Sequence, residues 1–375
     1  MTMENDSKPS VKRLYSLDAL RGFDMFWIMG GETIFTGLAA VTGWPLFKWW
    51  AEQLDHVPWH GFHFYDMIFP LFLFIAGISF PFSLAKRTAS GEERSKIYRH
   101  VIFRGLILVL LGILYNNGVK FNLGELRYGS VLGRIGLAWM FAAIIFMNTR
   151  LVWRITWFWV LLIVYWLLLA LVPAPDGGGA DIFSREGNFA SYIDRIVMPG
   201  ILYLGNHDPE GIFSTIPAIS TALLGMFTGE FMKSEYFKNN LLKKALTVAA
   251  AGIAFILLGK LWDLFFPINK NLWTSSFVCF VGGLSLILFS LFYLVIDVWN
   301  LRKWAFFFVV IGMNPITIYL ANRIINFRSA ARFFFGGFSE ILPETYAELI
   351  NGIGVTAVGW VFLYFLYKKK IFLKV

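Results

Sequence analysis

Residues 153–173 read Trp-Arg-Ile-Thr-Trp-Phe-Trp-Val-Leu-Leu-Ile-Val-Tyr-Trp-Leu-Leu-Leu-Ala-Leu-Val-Pro. After Arg154 the run carries no charge. A helix needs about 20 mostly apolar residues to cross roughly 30 Å of hydrocarbon, and this stretch supplies them. Nine more stretches of the kind lie near 19–40, 62–85, 101–118, 129–148, 214–232, 243–266, 274–296, 304–322 and 350–367. The expectation is an all-α, polytopic bundle of about ten transmembrane helices. Composition agrees, with 57% of the 375 residues apolar and 15% charged, against roughly 45–50% and about 25% in a soluble domain. That balance excludes a disordered chain, a coiled coil and an ordinary cytosolic enzyme. The single cysteine, Cys279, excludes an intramolecular disulfide.

Lysine and arginine give the orientation. With the N-terminus inside, the inner connections hold Lys8, Lys12 and Arg13, the basic run from Lys86 to Arg104, Arg150 and Arg154, Lys233 to Lys244, Arg302 and Lys303, and Lys368 to Lys374. They outnumber the outer lysines and arginines two to one, which places both termini in the cytoplasm and fits an even number of spans. Residues 1–16 precede no short apolar core with a cleavage site, so they read as a cytoplasmic segment before an uncleaved span. Residues 17–375 read as one transmembrane domain with an extracytoplasmic loop near 174–213.

Ionisable groups inside spans are costly and default to functional candidates. Asp18 and Arg21 stand at i, i+3 at the start of the first segment and are placed to pair. A snorkelling pair at the headgroups explains them equally. Glu32 lies 13 residues past Ala19, about 20 Å across. Its obvious partner is Arg134, which comes to similar depth from the fourth segment, as does Asp66 from the second. Just outside lies Leu54-Asp55-His56-Val57-Pro58-Trp59-His60-Gly61-Phe62-His63-Phe64-Tyr65-Asp66. His56, His60 and His63 have the spacing of one helix face, but Pro58 and Gly61 break such a helix, so no metal is expected. A single catalytic histidine is the better functional reading; interfacial histidines and tryptophans also serve as headgroup anchors.

Asp208-Pro209-Glu210-Gly211 reads as an N-cap with proline at the first helical position. Asn269-Lys270 with Trp273-Thr274 reads as a lid or an interface belt, and Asn314-Pro315 as a kink. The Lys86–Arg104 connection attracts a polyphosphate or, more simply, anionic lipid.

At these residues the chain resembles the transmembrane acetyltransferases related to lysosomal heparan-α-glucosaminide N-acetyltransferase. The marks are Arg13-Leu14-x-Ser16-Leu17-Asp18-x-x-Arg21-Gly22, His56-x-x-Trp59-x-Gly61 with Asp66-x-x-Phe69-Pro70, and Val131-Leu132-x-Arg134-Ile135. Further along come Asp208-Pro209-Glu210-Gly211, Pro267-Ile268-Asn269-Lys270-x-Leu272-Trp273-Thr274, Gly312-Met313-Asn314 and Tyr367-Lys368-Lys369-Lys370. The resemblance implies a polytopic enzyme that carries acetyl from cytosolic acetyl-CoA to a sugar on the opposite side. It puts the catalytic histidine on His56. The family pattern implies asparagine where this chain has Glu32, so a heparan-type acceptor does not carry over.

The expected catalytic set is therefore His56, Glu32 and Asp66, with His56 as general base or acetyl carrier. Glu32 or Asp66 would orient it or bind the acceptor. The expected acetyl-CoA set is Arg21, Asp18, Arg134, Asn269, Lys270 and Asn314, with Arg134 also holding the carboxylates. Expected partners are acetyl-CoA, a sugar or glycan acceptor, membrane lipids and a second copy of the chain, and no nucleic acid. With no organellar extension read in the chain, a bacterial inner membrane is the expected home. The competing reading is a transporter or flippase for a polar glycan or lipid, whose path the intramembrane charges would line. A scaffold is the third.

Overall fold

Backbone amides inside hydrocarbon find partners only within helices or closed barrels, and the apolar runs of this chain become helices. The computed structural model describes residues 14–373. Lys8, Lys12, Arg13, Lys374 and most of the 1–16 segment lie outside the described residues. In chain order the helices are α1 (Tyr15–Phe26), α2 (Glu32–Thr42), α3 (Pro45–Gln53), α4 (Ile68–Ala89), α5 (Arg94–Asn117) and α6 (Val131–Asn148). There follow α7 (Leu151–Leu171), α8 (Phe189–Val197), α9 (Thr215–Lys233), α10 (Leu241–Asp263) and α11 (Ser275–Tyr293). The last are α12 (Ala305–Gly312), α13 (Pro315–Ile324), α14 (Phe327–Ile341) and α15 (Ala347–Lys368).

The stretch at 153–173 shows how lipid shapes the pattern. Helix α7 buries only Phe158, Leu162, Tyr165 and Leu169, one seam at heptad-like spacing. Trp153, Trp157, Ile163, Leu167 and Leu171 face outward. An apolar surface that large is stable only against hydrocarbon.

Among the described residues, eight helical segments are long and apolar enough to cross a membrane, and nine if the bent pair α12–α13 is one span. The ninth expected segment is that pair, bent by 70° at Asn314–Pro315. The sixth is α9, whose 19 residues extend about 28 Å. Helix α9 is less apolar because α4, α6, α7 and α11 surround it, so it needs no lipid-facing side chains. Helices α3, α8 and α14 are shorter additions at the loop-rich face, which the sequence reading left as connections.

Glycines set how closely the spans approach. A Cβ on Gly22 would fall 1.7 Å from the Phe308 carbonyl oxygen, and one on Gly312 1.9 Å from that of Asp18. Helices α1 and α12 therefore cross backbone to backbone. This contact carries Arg21 to the break between α12 and α13, where it donates to the Gly312 carbonyl at 3.5 Å.

The start of α1 and the ends of α11 and α15 share one face. Ser16 N donates to Asp297 at 3.1 Å, and Phe306 packs on Tyr367 at the end of α15. The Lys/Arg excess assigns that face to the cytoplasm. The segment 172–214 folds over the other face. Trp59 Nε1 donates to the Phe183 carbonyl at 2.8 Å and Arg185 to that of Pro58 at 2.6 Å, fastening this loop to the histidine segment.

Candidate active site

The chain from α3 to α4 cannot stay helical through Pro58 and Gly61, the latter at φ +112°. It turns instead and re-enters helix through a 3₁₀ turn, Phe64–Met67, capped by His63. Asp66 closes that cap by accepting from His63 N at 2.9 Å. Its other oxygen accepts from His56 Nδ1 at 2.7 Å. A carboxylate only accepts, so Nδ1 carries the proton and the lone pair stands on Nε2. Asp66 is 1% exposed and the His56 side chain 48%: a fixed buried anchor holds a reactive edge open.

The third member comes from 214 residues away. Lys270 Nζ lies 3.1 Å from Nδ1 and 3.0 Å from Nε2 of His56. A point equidistant from both ring nitrogens lies over the ring, not along either lone pair. The ammonium also stands 3.6 Å from Asp66. Burial pushes the Lys270 pKa below the ordinary lysine value, against the pull of Asp66 and Glu210. The segment 267–274 is stiffened around it. Asn269 Oδ1 accepts from Leu272 N at 2.9 Å. Trp273, at φ +52°, is fully buried and donates to Thr221 Oγ1 at 3.2 Å. Gly61 N donates to the Ile268 carbonyl at 2.8 Å, which clamps this segment to the histidine turn.

His56, Lys270, Glu210 and Tyr65 line a cavity of about 220 Å³ whose other walls, Tyr319 apart, are apolar. A second cavity, of about 550 Å³, holds Arg21, Ser79 and Arg104, which lie towards the cytoplasmic face. Phe72, Leu132, Ile135, Pro315 and Ile316 line both, so the two spaces abut across these side chains. Phe69 in one and Ser79 in the other are ten residues apart on α4, about 15 Å. Arg21 donates to Ser79 Oγ at 3.0 Å and pairs with Asp18 at 3.1 Å, as the spacing requires. Arg104 rests 4.4 Å over the Trp139 ring, and among the described residues its Nε has no hydrogen-bond partner.

Other expected residues are placed differently. Arg134 does not meet Glu32. It is 2% exposed, donates to the Gly211 carbonyl at 3.1 Å and to Ser214 Oγ, and rests 5.0 Å over Trp273. Similar depth did not mean lateral contact, and the acids whose charge acts most strongly on Arg134 are Glu210 and Asp194 from the outer loop. Glu32 lines a separate cavity beside the Tyr65 hydroxyl. The Asn314 amide is taken up by the C-terminal tail, donating to Ile371 O at 2.9 Å and accepting from Leu373 N at 3.2 Å. His56, His60 and His63 take separate partners, Asp66, Asn269 and the Asp55 carbonyl. No group of three or more potential metal ligands occurs among the described residues.

Sequence reasoning passed over Tyr65 and Asp24 and gave Glu210 only a capping role. Asp24, fully buried in α1 with neither oxygen hydrogen-bonded among the described residues, was legible as an acid inside the first apolar run. Glu210 was legible only as a cap.

The outer loop that delivers Glu210 is held by charge. Arg127 grips Asp208 at 2.8 and 2.9 Å and Glu210 at 2.5 Å. Burial pushes His207 down to about 4 and Asp194 up to about 6. The His207 contribution is present above its ordinary value and lost as pH falls from 6.5 to about 4. That of Asp194 is present below 3.8 and lost as pH rises through about 6. Each shift corresponds to about 3 kcal/mol, and they oppose within one window. Protection of residues 174–213 against hydrogen exchange should therefore change little between about pH 4 and 6 in the wild-type protein. Asp194→Asn should make the loop acid-labile, and His207→Asn should make it loosen as pH rises. Equal slopes in both variants would refute this.

No protein-family profile matches the chain. It is 28% identical to the heparan-α-glucosaminide N-acetyltransferase of Mus musculus over 389 residues, covering 88% of this chain and 57% of that protein. It is 26% identical to the Homo sapiens protein of the same name over 430 residues, covering 100% and 62%. The chain thus spans about three-fifths of the length of these curated relatives. In sequence, along most or all of its length, it resembles the heparan-α-glucosaminide N-acetyltransferases.

Proposed function

We propose that this protein is a transmembrane acetyltransferase of a bacterial inner membrane, taking acetyl from cytosolic acetyl-CoA and delivering it to an extracytoplasmic amino sugar or glycan. One observation carries the reading: a carboxylate-oriented histidine stands in a cavity that abuts a second, arginine-bearing cavity on the side of the start of α1. The relatives' names, which state N-acetyl transfer to a glucosaminide, point the same way.

The CoA phosphates would meet Arg21 and Arg104, and the pantetheine arm would follow the apolar walls. The thioester would then lie under His56. The acceptor nitrogen or oxygen attacks the acetyl carbon while Nε2 takes its proton. The C–S bond breaks, CoA leaves as thiolate, and the proton ends on sulfur as the free thiol. Asp66 holds the imidazole in its productive tautomer and balances the imidazolium. Lys270 would meet the negative charge that develops on the acetyl oxygen. The same edge of His56 serves equally as acetyl carrier. In that route Nε2 takes the acetyl group as thiolate leaves, and the acceptor then displaces imidazole.

The test is thiol release. Purified protein with acetyl-CoA should release free thiol over many turnovers, beyond one equivalent per protein, only when an amino sugar such as glucosamine is added. Absence of thiol with every amino sugar, together with uptake of a polar glycan into proteoliposomes, would overturn the proposal in favour of transport.

A further inference from the structure

Glu32 and two arginines line a cavity that the reaction as drawn leaves without an occupant. It measures about 410 Å³ and is walled by Glu32, Asn322, Arg323, Asn326, Arg328 and Asn351. The first span creates it. Between α1 and α2 the helix widens into a π-helical turn, Trp27–Gly31, with Gly30 at φ +135°. A side chain at Gly30 would be strained by that angle and would meet Thr356 Oγ1 at 3.1 Å. Such widened turns recur at functional sites. Asn322 Nδ2 donates to the Ile28 carbonyl at 3.4 Å, which ties the end of α13 to the widened turn.

The charges lining this space are under-used. Glu32 has no ion pair among the described residues, and its carboxylate is turned to the Tyr65 phenol. Arg328 has neither an ion pair nor a side-chain hydrogen bond among them, and Arg323 donates only its Nε, to the Tyr115 carbonyl at 3.2 Å. Guanidinium groups free on their fork edges bind phosphate or carboxylate in pairs of hydrogen bonds. A lone carboxylate suits an ammonium or hydroxyls.

The cavity also adjoins the catalytic one. Ile28 lines both, and Tyr65 stands between them, its ring centroid 5.0 Å from that of His56 and its hydroxyl towards Glu32. Its outer wall is the start of α14, which exposes Phe333, Phe334, Phe338 and Ile341 alongside Arg328 and Arg332. A helix of that character lies in the membrane interface.

Resting on the acetyl-transfer reading, we infer that this cavity is the acceptor site, and that its acceptor bears an amine or hydroxyl together with a phosphate, presented at the outer membrane interface. Glu32 holds the amine or hydroxyl end, Arg323 and Arg328 hold the phosphate, and the nucleophile reaches His56 past Tyr65. A free sugar phosphate and a lipid-linked one present the same chemistry to the arginines.

The experiment compares glucosamine, glucosamine 1-phosphate and the octadecyl ester of glucosamine 1-phosphate as acceptors, with binding measured separately in the absence of acetyl-CoA. Glucosamine 1-phosphate should show a KM at least tenfold below that of glucosamine. In the Arg323→Ala/Arg328→Ala double variant that ratio should fall towards one, while Arg332→Ala, on the same helix outside the cavity, should keep it. Tighter use of the octadecyl ester marks the membrane as the source, and equal use marks a soluble compound. Thiol release with no arginine-dependent preference for phosphate overturns the acceptor site alone. Arginine-dependent binding of glucosamine 1-phosphate with no thiol release overturns the transfer reading and leaves an anion site.

Discussion

Replacing His56 with alanine should remove acetyl transfer and leave acetyl-CoA binding in place. The two effects separate because the proposed contacts lie in different cavities, with Arg21 and Arg104 on the cytoplasmic side and the imidazole at the outer end of its neighbour. A positioned general base contributes about 10²–10⁴-fold, so kcat should fall by that factor while the acetyl-CoA Kd stays within about threefold. Asp66→Asn should follow it. The asparagine amide can donate to Nδ1, stabilising the tautomer whose lone pair faces inward, and activity should drop although the histidine remains. The base and carrier routes part in a single measurement. Wild-type protein given radiolabelled acetyl-CoA without acceptor should retain label on His56 only if the acetyl group passes through the ring. Thiol release by His56→Ala at the wild-type rate would end both routes.

The bundle was legible because lipid is a demanding solvent. Each span must be long, apolar and helical, and these are properties of contiguous residues. The kink at Asn314–Pro315 was legible for the same local reason. Pairings between distant segments were not. Depth along a span follows from residue count, so Glu32, Asp66 and Arg134 could be set at one level, but which helices lie side by side depends on packing. Arg134 went to the outer loop because Gly211 and Ser214 reach it from the start of α9. Lys270 arrived over His56 because the segment 267–274 folds on its own hydrogen bonds and docks through the Ile268 carbonyl. Short range was enough for Asp18 and Arg21, which are three residues apart on one helix and do pair. Glu32 was visible as a charge without a local explanation. Its cavity was not, because that depends on a widened turn at Gly30, which has no periodic signature, and on where α14 packs, which its own pattern does not give.

Filling the junction between the cavities should stop transfer without touching either end. Ile316, on α13, lines both spaces and is only partly buried by protein, so tryptophan there can expand into void and need not overpack the core. An indole at that point stands across the route a thioester must take from the arginines to His56. Catalysis depends on reacting atoms coming to about 3–3.5 Å, and a displacement of 1 Å costs on the order of 10²-fold. Ile316→Trp should therefore lose at least that factor in thiol release at saturating acetyl-CoA. Desulfo-CoA, which carries the phosphates but no thioester, should bind within about threefold of wild type. The smaller variant Ile316→Ala should stay active, which separates obstruction from a role of the isoleucine itself. Wild-type turnover in Ile316→Trp would mean that the acetyl group does not pass between these cavities. His56 would then have to meet its donor from the outer face, and the transmembrane character of the reaction would be lost even if the histidine remained its base.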